Sequence, residues 1–173
     1  MTDDKTQRPF AKFYRAIWAD DEFKSLDSGP QRMFMLLLSQ PTITLAGTMP
    51  LQVNKWSRLA TDTPSELLRE HLAALTERCF VVVDEDTEEL LIRTVMKNDT
   101  LWNRSPKTQL GVLRHCLKVE SPLIRLTLAD EIESCLSMFT TANDVDQQAH
   151  TALSALREHA SEHDRSMLRP IIK

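Results

Sequence analysis

Four prolines punctuate this chain before any periodicity is considered. Pro30, Pro64, Pro106 and Pro122 follow Gly, Thr, Ser and Ser, in Ser28-Gly29-Pro30, Asp62-Thr63-Pro64, Ser105-Pro106 and Ser121-Pro122. Proline suits the first turn of a helix, where the N–H it lacks would have no intrahelical partner and its fixed φ is already helical. Each of these points is predicted to open a helix, so the chain is expected to be mainly α.

The segments between the prolines fill in the pattern. Pro30–Gln40 carries Met33, Phe34, Met35, Leu36, Leu37 and Leu38, apolar almost all round, which marks a central buried helix. Pro41 stops it. Thr42–Leu51, rich in Thr and Ile with Gly47 and Pro50, reads as a short strand or loop. Val53, Trp56, Leu59 and Ala60 share one face of a short helix over Gln52–Ala60. Thr61-Asp62-Thr63 is a turn, and a third helix over Pro64–Arg78 turns Leu67, Leu68, Leu72 and Leu75 inward. The period then changes to that of a β-hairpin: Phe80–Val83 and Leu90–Val95 flank a polar turn over Asp84–Glu89.

This order of helix, strand, helix, turn, helix and hairpin is that of a winged helix-turn-helix, with the hairpin as the wing. A linker over Met96–Arg104 follows. Helices are then predicted over Pro106–Val119, with Leu110, Leu113 and Leu117 aligned, and over Pro122–Met138. Thr140–Gln148 reads as a loop, and a last amphipathic helix, starting at Val145 or Ala149, reaches His159 before a tail. Ahead of all this, Phe13–Trp18 reads as extended chain and Asp20–Leu26 as a capped helical turn or two. Phe10, Phe13, Tyr14, Ile17, Trp18 and Phe23 are the apolar anchors of that arm. The expected organisation is an N-terminal arm packing on the core (1–29), a winged helix-turn-helix (30–95), a basic linker and helical extension (96–139), and a C-terminal helix and tail (140–173).

Several function classes drop out. With 42% hydrophobic and 27% charged residues over 173 positions, the chain has the balance of an ordinary globular domain. No apolar run nears the ~20 residues of a membrane span, and Thr2–Arg8 leads into no apolar stretch, so a cytoplasmic protein without membrane contact is expected. Three cysteines without C-x-x-C spacing argue against a disulfide framework or zinc knuckle. Cys79, Cys116 and Cys135 read as structural thiols. Three scattered glycines, Gly29, Gly47 and Gly111, leave no dinucleotide fingerprint or P-loop. His159 and His163 have metal-ligand spacing but lack supporting ligands. Asp20, Asp21 and Glu22 read as a helix start suited to the dipole. No enzyme, metal or cofactor is expected.

The charge is unevenly spread. The net of −4 divides into +2 over residues 1–60, −7 over 61–92, +5 over 93–125 and −4 over 126–173. A basic block inside an acidic chain points to an anionic partner, or to the basic block lying against the acidic one.

Several strings carry a family resemblance. They are Ile17-Trp18-x-Asp20-x-x-Phe23-x-x-Leu26, Gln31-Arg32, Leu36-Leu37-Leu38-Ser39-Gln40-Pro41, and Ala46-Gly47-x-Met49-Pro50-Leu51 leading to Trp56-x-x-Leu59-Ala60. Phe80–Asp84, Thr87–Arg93 and Asp99-x-x-Trp102 complete the set. From about Phe10 to Leu136 the chain resembles winged-helix proteins encoded by actinobacterial phages and prophages. The resemblance implies DNA binding, in replication initiation or transcription regulation, by analogy of fold.

The residues locate that expectation. The candidate recognition helix, Pro64–Arg78, faces outward with Ser65, Glu66, Arg69, Glu70, Ala73, Thr76 and Glu77. Ser65 and Arg69 are its candidate contacts, and Arg69 could read a guanine edge. Three glutamates oppose them, and Asp84, Glu85, Asp86, Glu88 and Glu89 put five carboxylates in six residues of the wing. The basic block offers another route. Lys97, Arg104, Lys107, Arg114 and Lys118 could neutralise phosphates, with Trp102 and Asn103 beside them for a base to stack on; Lys55 and Arg58 extend the patch. Lys107, Arg114 and Lys118 recur at intervals of seven and four on one helix face. The expected partner is DNA, duplex ahead of single strand. The alternative is a protein-interaction module in which the acidic wing residues bind a host or phage partner without DNA. A homodimer fits either reading. The discriminating observation is whether Lys107, Arg114 and Lys118 share a face with Lys55, Arg58 and Arg69, or pair with Asp84–Glu89.

Overall fold

A computed structural model describes residues 11, 13–93, 95–98, 105–138 and 143–158. The chain is mainly helical with a three-stranded antiparallel sheet. A 3₁₀ turn over Arg15–Ala19 precedes α1 (Asp21–Lys24) and α2 (Ser28–Leu38). Next come β1 (Thr48–Pro50), α3 (Val53–Trp56), which tightens into a 3₁₀ turn over Ser57–Leu59, and α4 (Ser65–Glu77). The hairpin strands β2 (Val81–Asp84) and β3 (Glu89–Ile92) follow, then α5 (Val95–Asn98), α6 (Pro106–Cys116), α7 (Pro122–Met138) and α8 (Asn143–Arg157). The strand order is β1-β3-β2.

The sheet is a wall shared by two apolar clusters. Successive side chains of a strand point to opposite faces, and here both faces are apolar. Val81, Leu90 and Ile92, with Met49 of β1, join Phe23, Phe34, Leu37, Trp56, Leu68, Leu72 and Leu75 of α1–α4. Val82 and Leu91, opposite one another across the hairpin, join Val112, Leu113, Cys116, Ile124, Leu128, Ile132, Leu153 and Leu156 of α6–α8. The predicted wing is thus buried on both faces, which its continuous apolar runs require.

Local chemistry fixes the joints. Asp20 accepts the N–H groups of Glu22 and Phe23 at 2.9 and 3.2 Å, so the acidic start of α1 is a side-chain cap. At the end of α4, the Phe80 N–H reaches Leu75 O and the Cys79 N–H reaches Thr76 O, each at 2.9 Å. This is a Schellman closure, and it holds Cys79 at φ 61°, where glycine is usual. Gly47 sits at φ 83°; a Cβ there would lie 2.6 Å from Ile92 O, so the close approach of β1 to β3 needs a glycine. The buried Trp56 indole N–H donates to Gln40 Oε1 at 3.1 Å. Arg93, just past β3, pairs with Glu131 of α7 at 3.2 Å, with side chains 16% and 4% exposed.

Some expectations give way to neighbouring interactions. Pro106 and Pro122 do open helices, but Asp27 precedes α2, which places Pro30 at its third position, and Pro64 stands just before α4. The stretch read as extended over Phe13–Trp18 closes into the 3₁₀ turn at Arg15, and Phe13, Tyr14 and Trp18 are exposed. Phe23 carries the anchoring. The returning strand ends at Ile92, because Val95 already starts α5. The expected loop over Thr140–Gln148 is helical from Asn143, with Val145 and Ala149 buried in the second cluster's layer. Leu117, expected in line with Leu110 and Leu113, is exposed just past α6.

Candidate nucleic-acid interface

The expected DNA-reading surface is α4 with the hairpin, and the two candidate contacts on α4 are engaged within the chain. Arg69 of α4 forms an ion pair with Glu85 at the hairpin turn. Ser65 donates to Asn54 Oδ1 of α3 at 3.2 Å, tying α4 to α3. Glu66, Glu70 and Glu77 are exposed along the same helix. A phosphate backbone meets repulsion there, while the one arginine facing it is already neutralised.

The hairpin carboxylates divide into two sets. Asp84 and Glu89 face each other across the hairpin and both turn toward α7. Glu89 accepts the N–H groups of Glu120 and Ser121, at 3.1 and 2.7 Å. Ser121 Oγ donates to Asp84 Oδ2 at 2.5 Å and accepts the Ile124 N–H at 3.1 Å. These two acids complement the partial positive charge at the start of α7. Asp84 also accepts the N–H groups of Asp86 and Thr87, at 3.0 and 3.2 Å, and so folds the turn. Of the expected partner-binding set, Asp84 and Glu89 are thus engaged within the chain. Asp86 and Glu88 remain as the exposed carboxylates of the tip, beside the paired Glu85. Nothing in the amino-acid order singles out Ser121 as the partner of both.

The basic block is arranged differently. α6 buries Gln109, Val112, Leu113 and Cys116 and exposes Lys107 and Arg114; Lys118 is exposed in the turn after it. Among the described residues these three cations form no ion pair. Seven residues of helix separate Lys107 from Arg114, about 10 Å along the axis, which spans about three base-pair steps. Between Arg114 and Lys118, His115 is held below its ordinary pKa of 6.5, first by burial and then by the Lys118 charge. Lys55 and Arg58 are exposed on and after α3, where Lys55 donates to Gln52 Oε1 at 3.2 Å. They belong to the layer of α4, on the other side of the sheet from α6. The patch envisaged across both layers is therefore two patches, and the α6 cations do not pair with Asp84–Glu89 either. Lys97 lies on α5 but its side chain, with Trp102, Asn103 and Arg104, lies outside the described residues.

No protein-family model, curated protein or solved structure matches the chain. Among the described residues, no helix is long and apolar enough to cross a membrane.

Proposed function

We propose that this chain is a winged-helix DNA-binding protein of the phage type, acting in replication initiation or transcription regulation, and that it holds duplex DNA through α6. The order helix, strand, helix, helix and hairpin, with the first strand paired to the last, supports the winged-helix reading. The observation that carries the choice of surface is that Lys107, Arg114 and Lys118 are exposed and form no ion pair among the described residues. Two cations on one helix face with a third in the turn beyond suit the phosphates of a duplex, and such contacts position a protein without specifying sequence.

Fluorescence anisotropy with a random duplex, from about 50 to 200 mM salt, tests this. Three phosphate contacts predict a log–log salt slope near −2.7, from about 0.9 per contact. The Lys107→Ala/Arg114→Ala variant should lose about two-thirds of that slope. A wild-type chain that binds no duplex at the lowest salt, or whose slope the double variant leaves unchanged, overturns the proposal.

A further inference from the structure

The α6 cations have a second matching surface, and it lies on this same chain. The Arg69–Glu85 pair brings the outer face of α4 against the hairpin turn. Around that bridge stand Glu66 and Glu70 of α4 and Asp86 and Glu88 of the turn, all exposed. This acidic face and the row Lys107, Arg114 and Lys118 are opposite in sign. Within one molecule no ion pair joins them among the described residues: α4 packs on the sheet face of Val81, Leu90 and Ile92, and α6 on that of Val82 and Leu91, while Lys118 lies in the turn leading to the Glu120 and Ser121 that the hairpin holds.

We propose that the chain self-associates head to tail, with the acidic face of one copy seated on the α6 cations of the next. Two different surfaces in contact make a heterologous interface, which adds copy after copy instead of pairing two copies about a two-fold axis. The self-association needs no DNA. If α6 is also the DNA surface, the next copy and the duplex compete for the same cations.

Exposed ion pairs are individually weak and are screened by salt. The association is therefore read at high protein concentration, up to about 500 µM, by sedimentation velocity without DNA. The wild-type chain should sediment faster with rising concentration at about 20 mM salt, and as a monomer at about 500 mM. Two charge-reversed variants, Lys107→Glu/Arg114→Glu/Lys118→Glu and Glu66→Lys/Glu70→Lys/Asp86→Lys/Glu88→Lys, should each be monomeric. Their equimolar mixture should associate again, which also shows that both remain folded. A monomeric wild type at low salt overturns the inference, as does a mixture that stays monomeric while both variants melt cooperatively. Duplex anisotropy separates the two claims. Slope loss in the α6 variant with a monomeric wild type leaves DNA binding standing alone. Self-association without duplex binding leaves this inference standing alone.

Discussion

Glu89, the first residue of β3, holds the backbone N–H of Ser121 at 2.7 Å, one residue ahead of α7. A carboxylate on the sheet thus serves as the cap of a helix in the next layer. It acts where the helix has donors to spare and a partial positive charge. Removing the acceptor strands the Ser121 N–H in a partly buried joint and leaves the exposed Glu120 N–H to water. Glu89→Ala should cost about 2 kcal/mol, or about 6 °C in melting temperature for a chain of this size. Glu89→Gln, which keeps one acceptor oxygen, should lose about half as much. Thermal denaturation followed by circular dichroism decides this, and an unchanged midpoint in Glu89→Ala would remove the capping role.

The closure of α4 makes an opposite prediction. Cys79 occupies a left-handed conformation at φ 61°, which costs a residue with a Cβ about 1 kcal/mol relative to glycine. Cys79→Gly should therefore stabilise the chain by about that amount, raising the midpoint by about 3 °C. Loss of stability in this variant would mean that the side chain contributes more than the backbone strain it imposes.

These two joints also mark where the amino-acid order is informative. The prolines, the apolar run of α2 and the change of period at Phe80 locate helices and hairpin, because local sterics and burial act over a few residues. The cap on α7 joins residues more than thirty positions apart, and no local pattern announces it. Asp84–Glu89 therefore reads as a uniform acidic turn, although two of its carboxylates belong to the fold. Arg69 likewise stands as a lone cation among glutamates until the hairpin brings Glu85 against it. The exposed places of Lys107 and Arg114 on α6 were legible because a helix face depends only on spacing, whereas Lys118, expected on the same face, falls in the turn after the helix. The separation of these cations from Lys55 and Arg58 was not legible, since it follows from which sheet face each helix covers.

The Arg69–Glu85 pair predicts a contrast between two arginines. On the proposed DNA surface, Arg114→Ala should reduce the salt slope by about 0.9 and weaken duplex binding at every sequence. Arg69→Ala should change duplex affinity by less than about twofold, since its charge is already matched. A larger loss from Arg69→Ala would return recognition to α4.

His115 gives the pH dependence. Its pKa is below 6.5 in the folded chain, because burial and Lys118 disfavour the imidazolium. The unfolded chain then binds the proton more readily than the folded one between the two values, so stability rises with pH across that window. The stabilising contribution is complete above pH 6.5 and is lost as pH falls through the folded value. His115→Gln should flatten the melting temperature over that range. A wild-type midpoint that rises on acidification from neutrality would contradict the sign.

The thiols should separate by reactivity. Burial pushes the Cys116 thiol up to about 12, and Cys135 is equally buried, whereas Cys79 is partly exposed. Thiolate is the reactive form. At about pH 8 a maleimide should label Cys79 in the native chain and reach Cys116 and Cys135 only after denaturant is added. Native labelling of all three within the same time would show that the α6–α8 layer opens readily.

That layer and the α1–α4 layer have separate apolar interiors, yet they share one set of strands. Unravelling either layer uncovers one side of β2 and β3, and the strands cannot keep their pairing with a bare apolar side in water. The two interiors are therefore thermodynamically a single unit. Amide hydrogen exchange in Val82 and Leu90 should report the same opening free energy, although their side chains belong to different interiors. A chain cut after β3 would be left with an adhesive sheet and not a smaller folded protein.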